Sequence, residues 1–268
     1  MSAGARAAST YNAAADHYDD AANAFWSRFG RATVDRLALR PGARVLDVCC
    51  GSGASALPAA VAVGPHGSVL GVDLADNLLS LARAKALALG LRNVEFRHGD
   101  LLDLPVREAS FDAVVCVFGV FFVPDMPLAV RALWRAVRPG GVLALTTWGP
   151  RFMEPATTAF WNAVREVRPD LYKGFNPWDR ISDPDAVVAL LREGGVHDAQ
   201  AVAQAGMHSI ASPDAWWSAV MGSGYRGTVD RLSAEEHASV REANLRFVRD
   251  SSVTAVEANV VFATARKR

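Results

Sequence analysis

Short apolar runs alternate with longer amphipathic segments through the first half of the chain. The runs are nearly unbroken, which is typical of strands buried on both faces of a parallel sheet. They predict five strands, at 45–48, 69–73, 94–96, 111–118 and 142–148. The segments between them have the spacing of helices that cover a sheet, and they predict helices at 55–63, 78–89 and 124–137. This alternation predicts a doubly wound α/β fold.

The pattern is looser after Gly149. Two helices are predicted there, at 152–167 and 185–193. Two further strands, 199–210 and 253–265, are predicted to pair antiparallel and to close a sheet of seven mostly parallel strands. The residues between these two strands, at 213–248, predict a helical insertion.

The amino-terminal segment predicts helical structure that precedes every strand. Residues 11–28 are predicted to form one helix, because Tyr11, Tyr18 and Phe25 have spacings that can share a helix face. Residues 33–39 are predicted to finish a helix before the Pro-Gly turn that leads into the first strand. A helical cap on the sheet is therefore expected.

Composition excludes several classes of partner. The chain has 268 residues, with 28 Lys and Arg against 28 Asp and Glu, so no net charge favours nucleic acid or an anionic membrane. The longest apolar run, 113–123, is too short to span a bilayer, and residues 1–10 contain no apolar segment. We therefore predict a cytoplasmic protein of one domain, 1–268, without nucleic-acid partners or membrane insertion.

Glycines and acids follow three of the predicted strands. Gly51 and Gly53 come directly after the first strand, where a following helix would present free N–H groups to a ligand. Asp73 ends the second strand at a spacing suited to binding ribose hydroxyls, and Asp100 follows the third strand. These strand ends predict one ligand crevice. The three cysteines and six histidines lack metal-ligand spacing, so no metal is predicted.

The order of these motifs resembles that of class I S-adenosylmethionine (SAM) dependent methyltransferases, most closely the ubiquinone/menaquinone type. The resemblance rests on D-x-C-C-G-S-G, G-V-D-L, G-D-L-L-D-L-P, F-D-A-V-V-C and R-P-G-G, within residues 40–149. It implies a cap at 1–40, a SAM-binding core at 41–149 and a substrate-side half at 150–268, with a lid at about 213–248. The chain departs from the family at Cys49, where glycine is usual.

The resemblance also implies a set of cofactor contacts. The 49–53 turn would approach the amino-acid end of SAM, Asp73 would accept the ribose hydroxyls, and Asp100 would accept from the adenine amino group. Asn77 is interpreted as a helix cap or, alternatively, as a residue leaning toward the cofactor. The full predicted set is Tyr18, Asp47, Cys49, Gly51, Asp73, Leu74, Asn77, Asp100, Leu101 and Phe118.

Aromatic residues after the fourth and fifth strands, and in the later segments, indicate the kind of acceptor. They favour a small, apolar or aromatic molecule that is methylated without a metal. Ordinary core packing is the alternative role for the tryptophans. No catalytic residue is identified, and the predicted substrate pocket consists of Phe121, Phe122, Trp148, Trp178 and Trp216.

Two other functions use the same strand-and-turn pattern. An NAD-dependent dehydrogenase could place Ala56 as the third small residue of its glycine motif, but Asp47 would then have no role. A non-catalytic SAM-binding or scaffold protein is a third possibility, which no feature of the sequence excludes. Neither the acceptor atom nor the oligomeric state follows from the sequence.

Overall fold

A seven-stranded sheet forms the centre of the structure, a computed structural model that describes residues 2–268. The strand order is β3-β2-β1-β4-β5-β9-β6; β1 to β5 are parallel, and β9 is antiparallel to both β5 and β6. This confirms the predicted doubly wound, mostly parallel sheet. The strands are β1 Arg44–Val48, β2 Ser68–Asp73, β3 Val94–His98, β4 Phe111–Val117, β5 Val137–Trp148, β6 Gln200–Gln204 and β9 Val260–Arg266.

Helices cover both faces of the sheet. Neighbouring residues of β1 show this directly, because Val45 and Leu46 are both fully buried but belong to different apolar clusters, one on each face. Burial on both sides explains why the strands read as unbroken apolar runs. The flanking helices are α3 Ala56–Val63, α4 Asp76–Ala88, α5 Met126–Ala136, α6 Ala156–Val167 and α7 Pro184–Glu193.

The strand predicted at 199–210 is two strands. After β6 the chain turns at Gly206, and β7 (Met207–Ser209) pairs with β8 (Ala255–Glu257) in a separate two-stranded sheet. The strand predicted at 253–265 is divided in the same way, into β8 and β9. Asn259 accounts for the break, because its side-chain oxygen accepts from the Gly206 N–H and its amide nitrogen donates to the Pro150 carbonyl.

The amino-terminal segment also differs from its prediction. Instead of one helix over 11–28 there are α1 (Ala3–Ala14), a 3-10 turn at Ala21–Asn23, and α2 (Phe25–Asp35), which ends before the predicted 33–39 segment does. Asn23 explains the interruption, since its side chain donates to the His17 carbonyl at 2.9 Å and so competes with helical hydrogen bonding. Tyr11, Tyr18 and Phe25 therefore do not share one helix face.

The predicted helical insertion contains α8 (Pro213–Met221), α9 (Arg226–Val229) and α10 (Ala234–Asp250). The amino-terminal segment packs closely against this insertion at Gly222. A Cβ at that position would lie 2.5 Å from the His17 carbonyl oxygen. Residues 3–24, called the cap below, thus contact the insertion as well as the sheet.

Candidate functional site

A cavity of about 270 Å³ lies where β1, β2 and β4 end and α1 crosses above them. The carboxyl edge of a doubly wound sheet is the usual ligand position in this fold. All but two of the predicted cofactor residues line this cavity; the exceptions are Asp47 and Asn77. The predicted residues in the lining are Tyr18, Cys49, Gly51, Asp73, Leu74, Asp100, Leu101 and Phe118.

Asp73 presents a fixed carboxylate to the cavity. One oxygen accepts from the Gly51 N–H and the other from the Ala75 N–H, both at 2.8 Å. Burial raises the pKa of Asp73, while these backbone hydrogen bonds oppose the rise. A carboxylate oxygen has more than one lone pair, so each can still accept from a ligand hydroxyl. Asp73 is therefore a pre-oriented acceptor for a pair of hydroxyl groups.

The glycine turn lies under a tyrosine of the cap. Gly51 has φ +52°, and a Cβ there would lie 3.0 Å from the Tyr18 hydroxyl. Burial raises the pKa of Tyr18, so this phenol stays neutral and can donate. It makes no hydrogen bond with any residue in 2–268. The Tyr18 ring stacks on Trp26 at 5.1 Å between centroids, which fixes the hydroxyl beside the turn.

Cys49 adopts a backbone conformation that suits glycine. Its φ is +59°, the left-handed region in which a Cβ costs about 1–2 kcal/mol. The adjacent Cys116 thiol, together with burial, raises the pKa of Cys49 and keeps its sulfur protonated. The departure from the family residue therefore preserves the shape of the turn with some strain.

A matched pair of substitutions measures that strain. Cys49→Gly and Cys49→Ala both remove the thiol, but only glycine adopts φ +59° freely. We expect the glycine variant to be more stable than the alanine variant by about 1 kcal/mol, as compared by urea unfolding at equal m-value. An alanine variant of equal or greater stability would contradict this account.

The other end of the cavity is aromatic. Phe118 has φ +54° and stacks on Trp148, with centroids 3.9 Å apart and planes 10° apart. Phe122 packs edge-on against Tyr11 at 5.5 Å. Backbone strain in a bulky residue persists where the surroundings fix it, and it concentrates at ligand sites. This part of the cavity therefore has rigid, flat apolar walls.

The predicted substrate residues occupy different positions. Phe122 lines the cavity, whereas Phe121 packs behind it against Trp178 at 5.3 Å. Trp148 lies behind Phe118. Trp216 is fully buried in the insertion, where its indole N–H donates to Asn244 at 2.9 Å. Of the five predicted substrate residues, only Phe122 therefore lines the cavity.

Tyr11 and Trp26 complete the aromatic wall, although neither was predicted to lie at the acceptor end. Trp26 comes from the first turn of α2 and is 7% exposed. The sequence signal that could have predicted its position is that it follows Phe25, directly after the segment that contains Tyr11 and Tyr18.

Asp47 and Asn77, both predicted to contact the cofactor, do not line the cavity. Asp47 lies behind the cavity wall and accepts from the Ser55 hydroxyl at 2.7 Å; only Ser55 of the two reaches the cavity. Burial raises the pKa of Asp47 to about 7. Asn77 does not cap α4, because it lies within the helix. Asn12 performs that role instead, its side-chain oxygen accepting from the Asn77 N–H at 2.8 Å.

Comparison with known families identifies the domain. Residues 45–141 match the family described as "Methyltransferase domain". The chain contains a class I SAM-dependent methyltransferase domain. SAM is the cofactor of such a domain, and the residues present fit it. Asp73 supplies a fixed acceptor for hydroxyl groups, and Leu74 supplies apolar surface. Gly51 has no side chain, so the ligand can approach the backbone of the turn there.

Individual curated relatives of the matched region are also methyltransferases. A demethylmenaquinone methyltransferase from Bacillus cytotoxicus is 40% identical over 119 residues, which cover 44% of this chain and 50% of that protein. The chain thus spans about half the length of the curated relatives it matches.

Solved structures share the fold across most of the chain. The structure of YcgJ from Bacillus subtilis aligns with 90% of this chain and 99% of its own length, with a TM-score of 0.59 and 19% identity. Phosphoethanolamine N-methyltransferase 2 from Haemonchus contortus, in complex with phosphomonomethylethanolamine and S-adenosylhomocysteine, covers 90% of this chain and 53% of its own length. Its TM-score is 0.55 at 17% identity. At these identities the likeness concerns the fold.

Within the described residues, no group of three His, Cys, Asp or Glu side chains is arranged to hold a metal ion. Over 2–268, no helix combines the length and apolar character needed to cross a bilayer.

Proposed function

We propose that this protein transfers the methyl group of SAM to a small, largely apolar or aromatic molecule. The observation that supports this most is the combination of two ends in one cavity. One end carries the Asp73 carboxylate, held by the Gly51 and Ala75 amides, and the other has flat aromatic walls. The demethylmenaquinone methyltransferase relatives support a quinone-type ring as acceptor.

The protein's own contribution is binding, orientation and exclusion of water. SAM supplies a methyl group already activated by its sulfonium. Asp73 would hold the ribose hydroxyls, and Leu74 and Leu101 would contact the adenine, with Asp100 accepting from its amino group. Tyr18 and α1 would cover the cofactor. Holding two reactants in line can lower the reaction barrier substantially, provided that water is kept out.

The acceptor end of the cavity is suited to orienting the acceptor molecule and has no evident base among the described residues to remove a proton from it. No histidine, lysine or arginine lines the cavity among residues 2–268. Burial raises the pKa of Tyr11 as well as that of Tyr18, so both are neutral hydrogen-bond donors and poor bases. The ring faces of Phe118 and Trp26 can contact a flat acceptor and stabilise positive charge near the methyl group. An acceptor that is already nucleophilic fits these walls.

Binding and turnover assays test the proposal. We expect calorimetry to show micromolar-scale binding of SAM and S-adenosylhomocysteine and no binding of NAD, because within residues 2–268 the lining contains the acids Asp73 and Asp100 and no cationic side chain, which disfavours a pyrophosphate. Radiolabelled SAM with a metabolite extract of the host should give a labelled small molecule, with chelators having no effect. Preferential NAD binding would favour a dehydrogenase, and SAM binding without any labelled product would favour a non-catalytic binding protein.

A further inference from the structure

Consecutive residues of the cap contact consecutive residues of the cofactor turn. The Tyr18 hydroxyl lies over Gly51, at 3.0 Å from where a Cβ would be. The next cap residue, Asp19, accepts a hydrogen bond from the Ser52 hydroxyl at 2.7 Å. The two contacts lie on different sides of the turn, because Gly51 lines the cavity and Ser52 does not. The turn is therefore held between two neighbouring residues of one segment.

Lys85 of α4 completes the contact behind the turn. Its Nζ lies 2.9 Å from the Asp19 carboxylate and donates to the Ser52 hydroxyl oxygen at 2.8 Å. Ser52 is 1% exposed, and its hydroxyl donates to one partner while accepting from the other. Three elements that are distant in sequence, the cap, the turn and α4, thus meet at one buried hydroxyl.

The backbone of the turn depends on such contacts. Gly51 and Gly53 have φ +52° and +87°, and glycine has the widest choice of conformations in the absence of restraint. Within the turn, the Gly53 N–H donates to the Cys50 carbonyl at 2.9 Å. Outside the cavity, the Cys50 N–H donates to the Val72 carbonyl at 3.1 Å, and the Ser52 side chain adds a second anchor. The acceptor of the Ser52 hydroxyl is a carboxylate, which strengthens the bond.

We propose that Asp19 is a positioning residue for the cofactor. Through Ser52 it holds the 50–53 turn in the shape that receives the amino-acid end of SAM, and it links that shape to the docking of the cap. This inference rests on the proposed function. It assigns to Asp19 a role in how long the cofactor stays bound, although Asp19 itself does not line the cavity.

The cap provides a matched control. Asp16 binds Arg226 of α9 at 3.0 Å, so it anchors the same segment to the insertion and not to the turn. Asp16→Ala should loosen cap docking in general. Asp19→Ala should in addition release Ser52. Comparing the two separates positioning of the turn from attachment of the cap.

The first experiment measures dissociation of S-adenosylhomocysteine by rapid mixing. We expect Asp19→Ala and Ser52→Ala each to raise the dissociation rate about tenfold, the effect of losing one charge-assisted hydrogen bond. The double variant should be no faster than either single one, because both remove the same bond. Asp16→Ala should raise the dissociation rate clearly less than Asp19→Ala does, because it loosens the cap but leaves the bond between Asp19 and Ser52 intact. Equal rates for Asp19→Ala and Asp16→Ala, or additive effects of Asp19→Ala and Ser52→Ala, would overturn the proposal.

A second measurement does not need the cofactor. In the ligand-free protein, hydrogen exchange of the amides at 50–54 should be faster in Asp19→Ala than in both the parent and Asp16→Ala. Unchanged exchange in Asp19→Ala would overturn the positioning role even if SAM binds. Failure of the parent to bind S-adenosylhomocysteine would instead reject the proposed function, so the two outcomes are distinguishable.

Discussion

Asp73→Ala is expected to weaken SAM binding at least tenfold. The substitution removes the acceptor for two ribose hydroxyls, and hydrogen bonds to a charged group contribute about 1.5–3 kcal/mol each. It also frees the Gly51 and Ala75 amides that the carboxylate now holds at 2.8 Å. Calorimetric titration with S-adenosylhomocysteine measures the change.

Two companion variants make the Asp73 result interpretable. Asp76→Ala removes an exposed acid three residues further on, which pairs with His98 outside the cavity, and it should bind like the parent. Asp73→Asn keeps one carbonyl oxygen and should fall between the parent and Asp73→Ala. A folded Asp73→Ala protein with parent affinity would reject Asp73 as the ribose acceptor.

Asp47→Asn is expected to stabilise the protein increasingly as pH rises. Burial raises the pKa of Asp47 from the ordinary 3.8 to about 7 in the folded protein. The stability associated with its bound proton is therefore fully present below about pH 4 and is lost as pH rises through about 7. Asparagine has no such titration. Its advantage over the parent should grow by up to about 3 kcal/mol between pH 5 and pH 8.

Urea unfolding of the parent and Asp47→Asn across this pH range measures the difference. Other titrating groups contribute equally to both proteins and largely cancel. A constant difference between parent and Asp47→Asn at all pH values would show that Asp47 titrates like an exposed acid.

The sheet and the turn were predictable because their signals are local. A strand buried on both faces must be apolar throughout, and the end of β1 must bring glycine close to a ligand, so both are visible in short windows of sequence. Asp73 follows from the same logic, since β2 lies beside β1 with Asp47 opposite Gly71. Position at a strand end was enough to place it in the crevice.

The acceptor end was less predictable because it is assembled from distant segments. Tyr11 comes from the cap and Trp26 from α2, whereas Trp216, predicted as a lid residue, is held in the insertion core by Asn244. Aromatic composition alone does not distinguish a pocket wall from a core. The Asn12 capping of α4 was hidden for the same reason, because its partner lies 65 residues away.

The position of β9 has a consequence for synthesis on the ribosome. β5 and β6 are made first, but each pairs with β9, which lies between them and follows the whole insertion in the chain. A nascent chain that has not reached 260 therefore carries two strands with open hydrogen-bonding edges, which favour association with other chains. Folding of the substrate-side half during translation must wait for β9 to emerge, and until then the α8–α10 helices tether two unpaired edges.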